Sequence, residues 1–477
     1  MIEKILNGLE RLVLLIVLVL FFQGKGAHGV FIAIAAATPV LRAIFSEDYR
    51  RSRKRRWESY VDSLRKQPSL FSAFVVVGLP FLTLTLANGV SISSYDNFGT
   101  QLTAASVVTD GNLEIGEFRP ETSHNPYFFT HTGTGYRSAY PIGMVVPMFP
   151  IFLVARLVGA DLSAGLAQWR LAKWTAAWLA AISLSLFFLI AYAWSTFEAA
   201  GYVTAFLGLG SVFTTTLSQG VWTHSGVVLS FLAVLWIVEK YPKSPFSDVL
   251  LGFCLAEMFA CRLSSAILIA PLLLWVRARR GWKSMVLAGT CAIAFHLPLT
   301  IYYASTYGTP LGPQMQMGQN MWKLEAPFQA LAGLLFSPGR GLFIYQPWLL
   351  LLALFPLSGK IAKVPTGLLG SVAVLHLALI ATWPAWTGGT CWGSRLLSEM
   401  VIPLAFLALP VVQWLMLRGK NAEISLRCFI LIGFLFHLPH LFLRAGFWDG
   451  DLQSGNTELE RMWNWSRPPF LYPFQKK

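Results

Sequence analysis

The segment Ser94-Tyr95-Asp96-Asn97-Phe98-Gly99 sets a carboxylate just beyond an apolar run that ends near residue 88. A carboxylate at the surface end of a rigid helix can act as a general base, taking a proton from an acceptor hydroxyl while a leaving group departs from the other face of the reacting carbon. The alternative for Asp96 is an N-cap for a helix beginning near Phe98. Other acids of the same stretch are weaker candidates. Asp110 precedes Gly111-Asn112 and reads as a turn residue, while Glu114, Glu117 and Glu121 lie farther along the loop.

Cations that could complement such a base recur at three places. Arg262 stands near the middle of the apolar run 248–275, where a guanidinium costs roughly 2.5 to 3.5 kcal/mol to insert and should face a cavity or a partner. Arg340, in Ser337-Pro338-Gly339-Arg340-Gly341-Leu342-Phe343, and Arg395, in Trp392-Gly393-Ser394-Arg395-Leu396, each open an apolar helix. Backbone N–H groups and a guanidinium at such a start form an anion site. Singly, each arginine could equally snorkel or pair internally; three of them at comparable helix ends predict one shared phosphate-binding pocket. Tyr136, Arg137 and Tyr140, in Tyr136-Arg137-Ser138-Ala139-Tyr140-Pro141-Ile142-Gly143, could floor a ring-shaped ligand, or could be interfacial tyrosines before a helix-starting proline. His224 opens the run 222–238 and is either a substrate contact or a satisfied interfacial histidine. His296, His376, His437 and His440 show no metal-binding spacing, so no metal centre is predicted. Cys254, Cys261, Cys291, Cys391 and Cys428 form no CxxC pair and read as packing residues.

The elements that must hold these side chains are apolar helices. Of the 477 residues, 55% are hydrophobic and only 13% charged, against about a quarter charged in soluble domains. An excess of 14 positive charges could suggest nucleic acid, but the basic residues collect in short loops between apolar runs, as positive-inside topology requires. Runs long enough to cross or nearly cross a bilayer fall at roughly 12–22, 27–45, 69–88, 141–158, 172–193, 200–214, 222–238, 248–275, 285–304, 341–357, 364–381, 399–417 and 428–443. These predict an all-α polytopic membrane protein of about 13 transmembrane helices. The first run has the flanks of a signal peptide, but the run at 27–45 follows at once and the two make a hairpin.

Three parts follow: an N-terminal membrane hairpin with a basic linker (1–66), a transmembrane core (67–443) containing a long first loop at 89–140, and a tail (444–477). The basic clusters at 50–56, 277–283, 360–363 and 418–420 belong in the cytoplasm. The first loop, the loops near 305–340 and 382–398, and the tail then lie outside. Parity raises one conflict. With Arg170 and Glu239–Lys243 both cytoplasmic, an even number of crossings must join them, yet three apolar pieces intervene; the sequence predicts that 200–214 is short or re-entrant, with Thr214-Thr215-Thr216 as its stop. The long run 248–275 is predicted to be two half-length helices meeting at Cys261-Arg262-Leu263-Ser264.

Taken in order, these segments resemble bacterial members of the GT-C glycosyltransferase superfamily, the membrane enzymes that use polyprenyl-phosphate sugars and include protein O-mannosyltransferase and lipid A aminoarabinose transferase relatives. Tyr95-Asp96 resembles the superfamily's first-loop acid, and Gly135–Gly143 its "YYSKYPxG" stretch. Ala256–Ser264 is similar to the "GLAFLTRPT" junction, with Leu263 in place of proline. Ser337–Phe343 and Trp386–Arg395 resemble two later outer-loop motifs, the second with Ser394 where proline is common. The resemblance spans about 69–443. Asn97 stands where many relatives carry a second acid.

The resemblance implies an inverting transfer of a sugar from a polyprenyl-phosphate donor to an extracytoplasmic glycan, glycolipid or protein acceptor at the bacterial plasma membrane. Asp96 would be the catalytic base, Arg262, Arg340 and Arg395 the lipid-phosphate ligands, and Tyr136, Arg137, Tyr140 and His224 substrate contacts. No cofactor is implied, and a divalent cation is compatible but not required. Two other classes were weighed. An O-antigen-ligase or polymerase-type transferase using a lipid diphosphate would be expected to carry its large loop late in the chain, whereas the largest loop here is the first. A transporter would place its polar residues near the bilayer midplane at paired broken helices, whereas the candidates cluster at helix ends.

Overall fold

Alanine-rich helix surfaces let backbones approach closely where no water is present to drive apolar burial, and the centre of this protein is built on one. In the computed structural model, which describes residues 47–89, 95–118, 128–133, 135–163, 165–313, 327–359, 361–389, 391–443, 458–471 and 474, the helix Gly165–Trp194 buries Ala172, Ala176, Ala177, Ala180 and Ala181 together with Leu184 and Phe187. The runs at 12–22 and 27–45 lie outside the described residues.

In chain order the helices are α1 (Glu47–Lys66), α2 (Leu70–Leu86), α3 (Phe98–Thr109), α4 (Val145–Leu157), α5 (Gly165–Trp194), α6 (Phe197–Leu209), α7 (Thr223–Lys240), α8 (Pro245–Cys261), α9 (Ala266–Arg280), α10 (Trp282–Tyr307), α11 (Pro327–Phe336), α12 (Pro347–Ser358), α13 (Thr366–Ala381), α14 (Ser398–Met416), α15 (Lys420–Leu443) and α16 (Glu458–Met462). Five stretches, Ala167–Trp194, Thr223–Lys240, Trp282–Tyr307, Arg395–Met416 and Lys420–Phe442, are long and apolar enough to cross a membrane. The expectation of an all-α membrane protein holds at that level. The exception is a small antiparallel hairpin in the first loop, β1 (Phe129–Thr132) with β2 (Gly135–Ser138), registered Phe129 to Ser138 and His131 to Tyr136. α5 and α14 are the inner helices, joined by stacking of Phe187 on Phe406 with ring centroids 4.1 Å apart. α10 keeps most of its surface outward, exposing Ile293, Leu297 and Ile301.

The bundle has two ends, and hydrogen bonds identify them. At the basic end, Tyr192 Oη donates to the Arg65 carbonyl (3.2 Å), Lys363 N donates to the Trp194 carbonyl (2.8 Å), and Arg65 pairs with Glu198 at 2.7 Å. Also at that end, buried Arg280 donates to Ser247 Oγ (2.7 Å), to the Tyr241 carbonyl (2.9 Å) and to the Ile237 carbonyl, tying α7, α8 and α9 together. Asp96 lies at the other end.

This division overturns the cytoplasmic placement of Arg170 and removes the parity conflict. The run 141–158 does not carry the chain to the basic end. Gly143, just before α4, donates to the Ala260 carbonyl (3.2 Å) near the end of α8, and by Trp169 the chain is again beside Phe98, whose ring it stacks against at 5.4 Å. Arg170 therefore lies at the Asp96 end. The piece 200–214 falls in α6, a short apolar helix of 13 residues that starts beside Arg65 at the basic end; a π-helical turn at Phe213–Leu217 carries the chain on until Ser218 and Gln219 meet Lys173 near the Asp96 end. Three full passages, α5, α6 with its extension, and α7, thus join Arg170 to Lys240.

The predicted break in 248–275 is present. α8 begins with the Ser244–Ser247 capping box and Pro245 in its first turn, and ends where Arg262 turns extended (φ −160°, ψ 121°). A 3₁₀ turn at Leu263–Ser265 then leads into α9. The two helices have 17 and 15 residues and meet at the Asp96 end.

Candidate functional site

The start of α14 collects the site. Asp96, in a 3₁₀ turn at Tyr95–Asn97, receives Arg395 Nη1 on Oδ2 at 2.9 Å and the Tyr140 hydroxyl on Oδ1 at 3.3 Å. The N-cap alternative for Asp96 is overturned: the cap of α3 is Asn97, which makes no side-chain cap bond. Burial, and then the neighbouring Asp96 charge, push the Tyr140 hydroxyl well above its ordinary pKa, so it remains a donor to the carboxylate at any physiological pH. The Asp96 side chain is 28% exposed and within reach of a ligand.

Arg395 is itself held on several sides. Its guanidinium lies 4.2 Å from the centroid of the Trp222 ring and donates through Nη2 to the Gly388 carbonyl. Two residues after Trp222, His224 Nε2 meets Arg262 Nη1 at 3.2 Å, and His224 Nδ1 meets Glu399 Oε1 at 2.8 Å. Arg262 Nε donates to Ser264 Oγ (2.7 Å) and lies 3.6 Å from Glu399 Oε1; His376 Nε2 stands 3.6 Å from Glu399 Oε2 and 3.0 Å from the Leu396 carbonyl. Two carboxylates and two guanidiniums therefore form one polar cluster, with Glu399 fully inside and Asp96 at the mouth. A buried carboxylate survives such burial only with compensating partners: Glu399 Oε1 has His224 at 2.8 Å and Arg262 at 3.6 Å, while Oε2 has His376 at 3.6 Å and no hydrogen bond among the described residues.

Close backbone packing fixes the geometry. A Cβ on Gly143 would stand 2.4 Å from the Ala260 carbonyl carbon and the Cys261 nitrogen, and one on Gly226 would stand 2.4 Å from Cys261 Sγ. Only glycine lets the segment after Tyr140 and the first turn of α7 converge on the residue before Arg262. Tyr303 Oη accepts from Ile142 N (3.1 Å) and Tyr307 Oη donates to the Ser138 carbonyl (2.9 Å), so α10 braces the same segment from outside.

The structure brings together Asp96, Tyr140, His224, Arg262 and Arg395 of the residues singled out in the sequence. Arg340 binds the same loop as Arg395: its Nε donates to the Thr387 carbonyl (2.7 Å) and its Nη2 to the Gly389 carbonyl (2.6 Å), on either side in sequence of the Gly388 carbonyl that takes Arg395, while Nη1 donates to the Gly339 carbonyl (2.9 Å). These backbone bonds give Arg340 a structural duty beside the Arg262–Arg395 pair. Arg137 pairs with Glu114 at 3.1 Å and Tyr136 packs its ring against Phe129 and His131, so both shape the hairpin. Glu121 lies outside the described residues.

A prediction follows for Arg340. Arg340→Gln strands carbonyls of two loop segments and should lower thermal stability by about 3 kcal/mol, read as the unfolding midpoint in detergent, while leaving affinity for an anionic ligand at the Arg262–Arg395 pair within about twofold.

Three participants were not singled out as site residues in the sequence. Glu399 is the only acid in the run 399–417, and the cost of inserting a charge that flagged Arg262 applies to it equally. His376 was noticed only for its lack of metal spacing. Trp222 carries no sequence signal distinguishing it from the other tryptophans. Two buried donors in the cluster, Arg395 Nε and Trp222 Nε1, have no hydrogen-bond partner among the described residues, a pattern suited to an incoming acceptor. No protein-family model matches the chain, and no curated protein matches it.

Proposed function

We propose that this protein is a membrane glycosyltransferase that moves a sugar from a polyprenyl-phosphate donor to an extracytoplasmic acceptor. The observation that carries the reading is the convergence of Asp96 with Arg395 and Arg262 at one end of an apolar bundle, where a partly exposed carboxylate faces two guanidinium groups and two unmet donors. Arg395, Arg262 and Trp222 would take the donor phosphate. Asp96 would accept the proton from the acceptor hydroxyl as its oxygen bonds to the anomeric carbon. The bond from that carbon to the phosphate oxygen breaks, its electron pair leaves with the phosphate, and the configuration inverts. Arg340, Tyr136 and Arg137 have structural duties in this reading.

In the membrane, the basic end faces the cytoplasm and the Asp96 end faces outward. Eleven helices in the described residues, α2, α5 to α10 and α12 to α15, would join the two ends. α3 and α4 then lie with the hairpin β1–β2 in an outer layer, which extends the first loop to residue 164.

Purified protein incubated with a radiolabelled polyprenyl-phosphate sugar and a cell-envelope acceptor fraction should release polyprenyl phosphate, resolved by thin-layer chromatography. Arg262→Ala and Arg395→Ala should each raise the donor KM about tenfold or more. If the wild-type protein binds the carrier but leaves the sugar attached with every donor tried, and moves it across vesicle membranes instead, the protein is a transporter.

A further inference from the structure

The end of the bundle remote from Asp96 carries a concentration of charge for which sugar transfer has no use. We propose that α1 and the basic tryptophan collar beside it form a binding surface for anionic phospholipid headgroups.

Position comes first. The last turn of α1 is fastened to the point where α5 ends and α6 begins: Leu64 is fully buried, Arg65 pairs with Glu198 at 2.7 Å, its guanidinium lies 4.8 Å from the Phe197 centroid, and Tyr192 Oη donates to the Arg65 carbonyl. The last turn of α1 therefore sits at the level where apolar helices stop, which in a bilayer is the headgroup layer. Lys54, Arg55, Arg56, Trp57 and Tyr60 are exposed along it, and the preceding turn adds Arg50, Arg51 and Arg53 in sequence. Against the eight Lys and Arg of α1 stand four acids, Glu47, Asp48, Glu58 and Asp62, and Glu58 reaches Lys54 only at 4.0 Å.

Composition comes second. Around the same end, three cations sit over tryptophan rings at the ends of three different helices: Lys240 over Trp236 (5.8 Å), Arg279 over Trp275 (4.5 Å) and Arg418 over Trp414 (3.8 Å). An indole at the edge of the hydrocarbon with a cation beyond it presents an apolar body to the acyl region and a charge to the phosphate layer. A nucleic acid would also meet the charge, but it has no use for a collar of tryptophans at the helix ends. Clustered basic residues at a membrane surface gain roughly fivefold in affinity each from anionic lipid, and the gain disappears with salt.

The test uses the full chain in neutral detergent, titrated with mixed micelles of phosphatidylglycerol or of phosphatidylcholine while the thermal unfolding midpoint is followed. Phosphatidylglycerol should raise the midpoint in a saturable way, phosphatidylcholine should not, and about 0.5 M salt should remove the difference. The Lys54→Gln/Arg55→Gln/Arg56→Gln variant should keep the lipid-free midpoint and bind phosphatidylglycerol about tenfold or more weakly, while Arg170→Gln, at the Asp96 end, should titrate like wild type. Equal response to the two lipids, a salt-insensitive response, or wild-type titration by the triple variant overturns the proposal. So does preferential stabilisation by an RNA oligonucleotide. Should the triple variant unfold, the wild-type salt and headgroup dependence decides alone. Neither outcome depends on the catalytic reading of Asp96.

Discussion

Asp96→Asn should lower turnover by roughly 10² to 10⁴-fold while expression, unfolding midpoint and donor KM stay close to wild type. The amide keeps the shape of the carboxylate and can still accept from Tyr140 at its oxygen, but it cannot take a proton. Its contact with Arg395 weakens from an ion pair to an ordinary hydrogen bond, which leaves that guanidinium better disposed toward phosphate; donor affinity should hold or improve. Single-turnover and steady-state measurements with the labelled donor separate the two effects. Transfer at the wild-type rate would remove Asp96 from the chemistry and direct attention to Glu117, since Glu114 is tied to Arg137 and its carboxylate lies so close to Gly135 that a Cβ there would overlap it.

The largest effect on stability is expected at Glu399. Glu399→Ala removes the carboxylate shared by His224, Arg262 and His376 and leaves the largely buried Arg262 guanidinium without its counter-ion. Losing one partner of such a pair costs about 3 to 5 kcal/mol. The unfolding midpoint in detergent should fall by several degrees, and donor binding should weaken because Arg262 is no longer aimed. Glu399→Gln restores the hydrogen bond to His224 without the charge, so it should recover part of the stability and little of the donor affinity. A Glu399→Ala protein as stable as wild type would show that the cluster is solvated and the carboxylate dispensable.

Much of the site was legible because charges in apolar sequence are costly and few. Arg262 and Arg395 stood out for that reason, and Asp96 because it follows a helix end. Arg340 obeyed the same rule, but sequence cannot distinguish a guanidinium aimed at a ligand from one that satisfies three carbonyls; the loop at 387–389 that takes two of its donors becomes visible only when folded. The helical character was legible from run lengths, but direction was not. The run 141–158 is apolar enough to cross a membrane, yet it returns to its starting end because Gly143 binds it to α8 and Trp169 meets Phe98. Hydropathy measures whether a segment tolerates lipid, whereas only contacts reveal which end it reaches. The hairpin at 129–138 is too short, and too dependent on the surrounding aromatics, to register as alternation.

Arg395 and Glu399 are four positions apart, one helical turn at the head of α14, and each carries a different side of the cluster: Arg395 holds Asp96, Glu399 holds Arg262 and His224. A ratchet or rotation of that single turn would shift both ion pairs in the same stroke. Occupancy at the mouth and alignment in the interior are therefore mechanically coupled, so a ligand that draws Arg395 away from Asp96 must also be felt at Arg262. The expected signature is thermodynamic reciprocity: whatever factor the acceptor contributes to donor affinity, the donor returns to the acceptor.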